Sequence, residues 1–207
     1  MTSPLVLPRH GWGDPSSSRR ALLVHGLGST GALMWRFGVE LSERGWFAEA
    51  VDLRGHGRAP RALDYTIGAY AADLAACRPQ DETPWDLVIG HSLGGALASL
   101  QGAQVGKPAT VFNPLGLQEK LFERYTIDRE GLDQHVRAYV VDGDPVAGSN
   151  GFFGLERAPT TQLPSRDLSW SANDGLRSSD NSPDEHGMVS VIGGLLHRAN
   201  AAIREAR

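Results

Sequence analysis

The sequence predicts an α/β fold, a mostly parallel central sheet with helices on both faces. Two observations predict it. From Ala21 to Val141, short apolar runs alternate with segments of helical spacing, and parallel strands need crossover connections, which helices supply. The first of these runs, Ala21–His25, is short, apolar and closed by Gly26, as a buried strand ending in a tight turn is. Connections between such strands are right-handed.

The elements follow in order. Ala21–His25 reads as the first strand and ends at Gly26; Leu33–Arg44 reads as a helix, punctuated by Gly45. Trp46–Leu53 is the second strand and delivers Asp52 into the turn Arg54, Gly55, His56, Gly57. Tyr65–Arg78 places Ile67, Tyr70, Ala71, Leu74 and Ala75 at helical spacing, and Pro79 ends it. Trp85–Gly90 is a strand, Leu93–Val105 an Ala- and Leu-rich helix, and Pro108–Phe112 another strand. Gln118–His135 predicts one helix interrupted near Thr126 or Gly131, followed by the β-branched strand Val136–Val141. Beyond it, 145–185 is loop-rich, with a weak strand at Thr160–Leu163, and Met188–Ala202 is a closing helix. Residues 1–19, rich in Pro, Gly and Ser, are expected to be an irregular lead-in to a single domain spanning 1–207.

Composition bounds the functional classes. With 41% hydrophobic and 21% charged residues the chain is of ordinary globular make-up. A net charge of −4, scattered along the chain, offers no basic stripe to neutralise phosphates, so nucleic acid is not an expected partner. One cysteine, Cys77, on an expected helix face, excludes an internal disulfide framework and a multi-cysteine metal site. No apolar stretch reaches the roughly 18 residues of a spanning helix, and the first residues lack a secretion signal. The expectation is a cytoplasmic protein without membrane insertion. Oligomeric state is not legible.

One motif carries chemistry. Leu87, Val88, Ile89, Gly90, His91, Ser92, Leu93, Gly94, Gly95 places G-x-S-x-G between an apolar strand and an Ala-rich helix. A serine on so sharp a turn needs minimal neighbours at Gly90 and Gly94, whose side chains would collide across it. Its hydroxyl is then exposed at the carboxyl edge of the sheet, with the free N–H groups of a helix start beside it. Ser92 is therefore the candidate nucleophile, and the Leu93 N–H a candidate donor to a developing oxyanion.

With His25, Gly26, Leu27, Gly28 and then Asp52, Leu53, Arg54, Gly55, His56, Gly57 preceding that motif, the chain resembles the α/β-hydrolase family over Ala21 to Val141. The resemblance implies a serine hydrolase of the esterase or lipase kind. It also implies that the turn after the first strand supplies a second oxyanion donor, the backbone N–H of Leu27. His25 and His56 read as braces of their turns, and His91 as a packing residue.

A serine nucleophile needs a base within hydrogen-bond reach and an anion to orient that base. The family's chain order is Ser, then Asp or Glu, then His. Asp142 and Asp144 both follow Val136–Val141; Gly143, Asp144, Pro145 fits the family pattern better, so Asp144 is the expected acid. Both aspartates are also what an ordinary turn would use. His135 precedes the acid strand and His197 sits in a helical pattern, whereas His186 lies in the polar loop before the last helix, where the family carries its base. The expected triad is Ser92, Asp144 and His186, needing neither metal nor cofactor.

Only Asn113 to His135 separates two successive strands, too little for a helical cap domain. The pocket is expected to be open, apolar and lined by Leu115, Leu117, Phe152 and Phe153, with Leu27 and Leu93 near the nucleophile. The expected substrate is a small-molecule ester or thioester cleaved through an acyl-enzyme. The alternatives are carbon–carbon bond hydrolysis or lyase chemistry on the same triad, and a non-catalytic ligand-binding protein that kept the fold.

Overall fold

A computed structural model describes residues 3–78, 85–141, 144, 146, 155–156 and 160–163. Their centre is a seven-stranded sheet: β1 (Arg9–Trp12), β2 (Arg20–Val24), β3 (Phe47–Val51), β4 (Leu87–His91), β5 (Ala109–Phe112), β7 (Val136–Val141) and β9 (Thr160–Leu163). In space they run β1-β3-β2-β4-β5-β7-β9. Every pair is parallel except β1 with β3. A second, two-stranded sheet joins β6 (Leu117–Gln118) to β8 (Leu155–Glu156).

Side-chain alternation divides the core into two layers. Leu22 and Val24 of β2 face one side with Val51, Val88 and Val111, against Tyr70 and Leu74 of α2 (Ile67–Ala76) and Ala96, Leu97 and Leu100 of α3 (Leu93–Val105). Ala21 and Leu23 face the other with Ala48, Ala50, Ile89 and Phe112, against Met34 and against Phe37 and Leu41 of α1 (Trp35–Ser42). Successive strand residues point to opposite faces, and both faces are covered, as in buried parallel sheets.

The expected elements recur with three adjustments. The expected helix Leu33–Arg44 opens as a 3₁₀ turn, Gly31–Met34, before α1. Gln118–His135 divides at Thr126, whose left-handed backbone (φ 51°) ends α4 (Glu119–Tyr125); Gly131 lies unbroken within α5 (Arg129–His135), whose start is capped by the Asp128 carboxylate accepting from the Gly131 N–H. Arg9–Trp12, inside the stretch expected to be irregular, is the antiparallel edge strand β1, with Trp12 filling the space beside Gly38 of α1. Pro79, the helix expected at Met188–Ala202 and most of 145–185 lie outside the described residues.

The chain leaves β2 for β3 on one side and then returns to β4 on the other side of β2. Right-handed crossovers in opposite directions put α1 and α2 on opposite faces and open a crevice between the carboxyl ends of β2 and β4. That crevice is the default ligand position of such sheets, and both the His25–Gly28 turn and Ser92 emerge into it. Among the described residues, no helix is long and apolar enough to cross a membrane.

Candidate active site

Ser92 stands between β4 and α3 with φ 55° and ψ −120°, a conformation that a residue with a side chain holds only when its surroundings impose it. Those surroundings are explicit. Its N–H donates to the Phe112 carbonyl at 3.1 Å, and its own carbonyl accepts from Ala96 N–H and Leu115 N–H, both at 3.1 Å. The strain is thus held by β5, by the first turn of α3 and by the loop after β5 together.

The flanking glycines are required by close approach. A Cβ on Gly90 would fall on the Gly94 carbonyl oxygen and within 2.8 Å of the Ala98 Cβ. A Cβ on Gly94 would fall on the carbonyl oxygens of Val24 and His25, so Gly94 answers to strand β2 rather than to Gly90. Gly26 sits against Ser92 itself: a Cβ there would lie 2.9 Å from the Ser92 Cβ and 3.1 Å from His91 Nδ1. The turn after β2 is therefore in contact with Ser92, and Leu27, the next residue, is 74% exposed at the mouth of the crevice. Leu93 opens α3 and is buried. His91 is buried too, with its ring against Gly26.

His25 is fully buried and committed to the backbone. Its Nε2 accepts from the Leu53 N–H at 3.0 Å, so Nδ1 carries the proton and donates to the Gly26 carbonyl at 2.7 Å. Burial pushes its pKa down to about 4, keeping it neutral. A ring used this way braces the turn and has no free nitrogen for a serine. His56 similarly donates from Nδ1 to the Arg54 carbonyl at 3.0 Å.

Asp52 holds the same region from the other side. Its Oδ1 accepts from Gly31 N–H at 2.8 Å and its Oδ2 from Arg58 N–H at 3.0 Å. Burial disfavours its charge, but these donors and His10 outweigh that cost and hold its pKa below the usual carboxylate value. Asp52 thereby ties the loop after β2 to the loop after β3.

Asp144 follows β7, is 4% exposed, and donates its N–H to the Val141 carbonyl at 3.1 Å. Since β4, β5 and β7 are neighbours in register, with His91 opposite Phe112 and Phe112 opposite Tyr139, Ser92 and Asp144 leave the same edge two strands apart. His186, Asp142, Phe152 and Phe153 lie outside the described residues. Leu115 is partly buried against the core. Leu117 is 1% exposed and packed within the core cluster.

Asn113 escaped the sequence reading. It is fully buried, has φ 44°, and accepts from the Val141 N–H through Oδ1 at 2.8 Å. The Asn-Pro pair after β5 signals a turn, but nothing in it names a partner 28 positions away.

The doubly wound sheet and the strained serine at its switch point define an α/β architecture with a sharp strand–turn–helix elbow at Ser92. The chain belongs to the alpha/beta hydrolase family, whose sequence pattern it matches over residues 21–202. It is 38% identical over 98 residues to lipase LipV of Mycobacterium tuberculosis, covering 47% of this chain and 36% of that protein. It is 38% identical over 84 residues to the pimeloyl-acyl-carrier-protein methyl ester esterase of Neisseria meningitidis, covering 41% of this chain and 31% of that one. The matched segments thus span well under half of these relatives. A crystal structure from a study of Nitrososphaera gargenis carboxylesterases shares the fold, with a TM-score of 0.55 at 20% identity over 95% of this chain and 96% of that one.

Proposed function

We propose that this protein is a serine esterase that cleaves small-molecule carboxylic esters or thioesters through an acyl-enzyme on Ser92. The observation that carries the reading is the backbone of Ser92, held at φ 55° at the head of α3 in the switch-point crevice and in contact with the turn after β2. Its similarity to proteins named lipase and methyl ester esterase supports the same chemistry.

In this reading His186 takes the Ser92 proton as the hydroxyl oxygen attacks the substrate carbonyl, and Asp144 fixes the His186 tautomer and stabilises its imidazolium. The backbone N–H groups of Leu27 and Leu93 receive the oxyanion. The protonated imidazole gives its proton to the leaving alcohol or thiol, and water then releases the acid by the reverse sequence. Leu27 and Leu115 form apolar walls of the site, and Phe152 and Phe153 complete it. Leu121, Phe122, Ile127 and Leu132 of the segment between β5 and β7 are packed into or against the core, which favours an open site over a capped one.

Steady-state kinetics on p-nitrophenyl esters of rising acyl length, with a thioester in parallel, tests this. Ser92→Ala, His186→Ala and Asp144→Asn should each lose at least about three orders of magnitude in kcat. A His186→Ala enzyme with full turnover would move the base elsewhere.

A further inference from the structure

We infer that Asn113 is a positioning residue that couples the turn bearing Asp144 to the elbow bearing Ser92, an inference that rests on the proposed triad. In a regular parallel ladder a residue donates its N–H to one residue of the neighbouring strand and accepts, through its carbonyl, from the N–H two residues further on. Asn113 begins this pattern: its N–H donates to the Tyr139 carbonyl at 2.8 Å. The matching acceptor for Val141 N–H would be the Asn113 backbone carbonyl. At φ 44° the backbone has left the strand conformation, and the side-chain Oδ1 accepts from Val141 N–H instead, at 2.8 Å.

The substitution has two consequences. Strand β7 stays paired out to Val141, whose carbonyl then accepts from the Asp144 N–H at 3.1 Å, so the acid turn starts from a fixed point. Meanwhile the chain is free to turn at Asn113 and bring Leu115 N–H to the Ser92 carbonyl at 3.1 Å. One residue thus extends the ladder on the acid side and releases the loop that restrains the nucleophile. Asparagine suits both tasks, because it tolerates the left-handed region and carries an acceptor oxygen at the length of a missing carbonyl.

The test is a double-mutant cycle in the full chain, with kcat and KM measured across pH. Asn113→Gly keeps the turn and removes the acceptor; it should fold, hold KM, and lose roughly tenfold to a hundredfold in kcat, the scale of a small misplacement of catalytic groups. Asn113→Asp, which presents an oxygen in either charge state, should recover most of kcat. On an Asp144→Asn background the glycine substitution should cost little more, because the residue acts through that acid. Equal losses in both backgrounds, or no loss in the wild-type background, would overturn the inference. If Asn113→Gly is unfolded at the assay temperature, the same cycle is run at a lower temperature at which urea titration shows the variant folded, and is read by the same criteria. An Asp144→Asn enzyme with unimpaired kcat would instead refute the proposed triad.

Discussion

At the scale of single residues, the site is a set of backbone positions that tolerate no added atoms. The carbonyls of Val24 and His25 occupy the place of a Gly94 side chain, so Gly94→Ala should cost about 2 kcal/mol or more of stability, as overpacking does, and abolish turnover; chemical denaturation and an ester assay measure both. His25 gives a pH prediction. Its folded pKa of about 4 lies below the ordinary value near 6.5. Its contribution is therefore intact above about pH 6.5 and is lost as pH falls toward 4, amounting to about 3 kcal/mol. Urea unfolding at pH 7.5 and pH 4 should show a larger acid loss for wild type than for His25→Asn. Equal losses would mean that the imidazole is not held neutral.

At the scale of elements, the long apolar segments were readable and the short or polar ones were not. Leu93–Val105 is α3 to the residue, because an unbroken Ala- and Leu-rich run ends at Gly106, whose left-handed backbone (φ 66°) closes the helix. β1 was missed because Arg9, His10, Gly11 and Trp12 show no apolar alternation; the strand exists through pairing with β3 and packing of Trp12 on α1. β6 and β8 are two residues each, too short for any period. Another connection invisible in sequence is the buried pair of Arg54 and Asp73, joined by two hydrogen bonds of 2.7 Å, with Asp73 also accepting from Leu5 N–H. It fastens the turn after β3 and the N-terminal strap to α2. Asp73→Ala should lower stability by about 3–5 kcal/mol, since it leaves Arg54 charged and buried without its partner. Thr126→Gly, by contrast, should raise the melting temperature slightly, relieving up to about 1 kcal/mol of left-handed strain at the end of α4.

For the whole molecule, topology explains how the motif around Ser92 meets the turn after β2. Reversal of strand order at β2 and β4 brings Gly26 and Ser92 together although they are far apart in the chain. The elbow around Ser92 was legible because its geometry demands glycines at fixed spacing. Asp144 is singled out in the sequence by its place after the β-branched strand and by the Gly143, Asp144, Pro145 pattern, and it is buried just after β7. Asn113 was not legible because its role depends on a turn that exists only once β5 and β7 are paired. The central claim is that Ser92 is an activated nucleophile, and covalent labelling tests it most directly. A fluorophosphonate probe followed by mass mapping of the digested protein should find the adduct on the peptide carrying Ser92, with no labelling of Ser92→Ala. Equal labelling of both proteins, or an adduct on any other serine, would contradict the account.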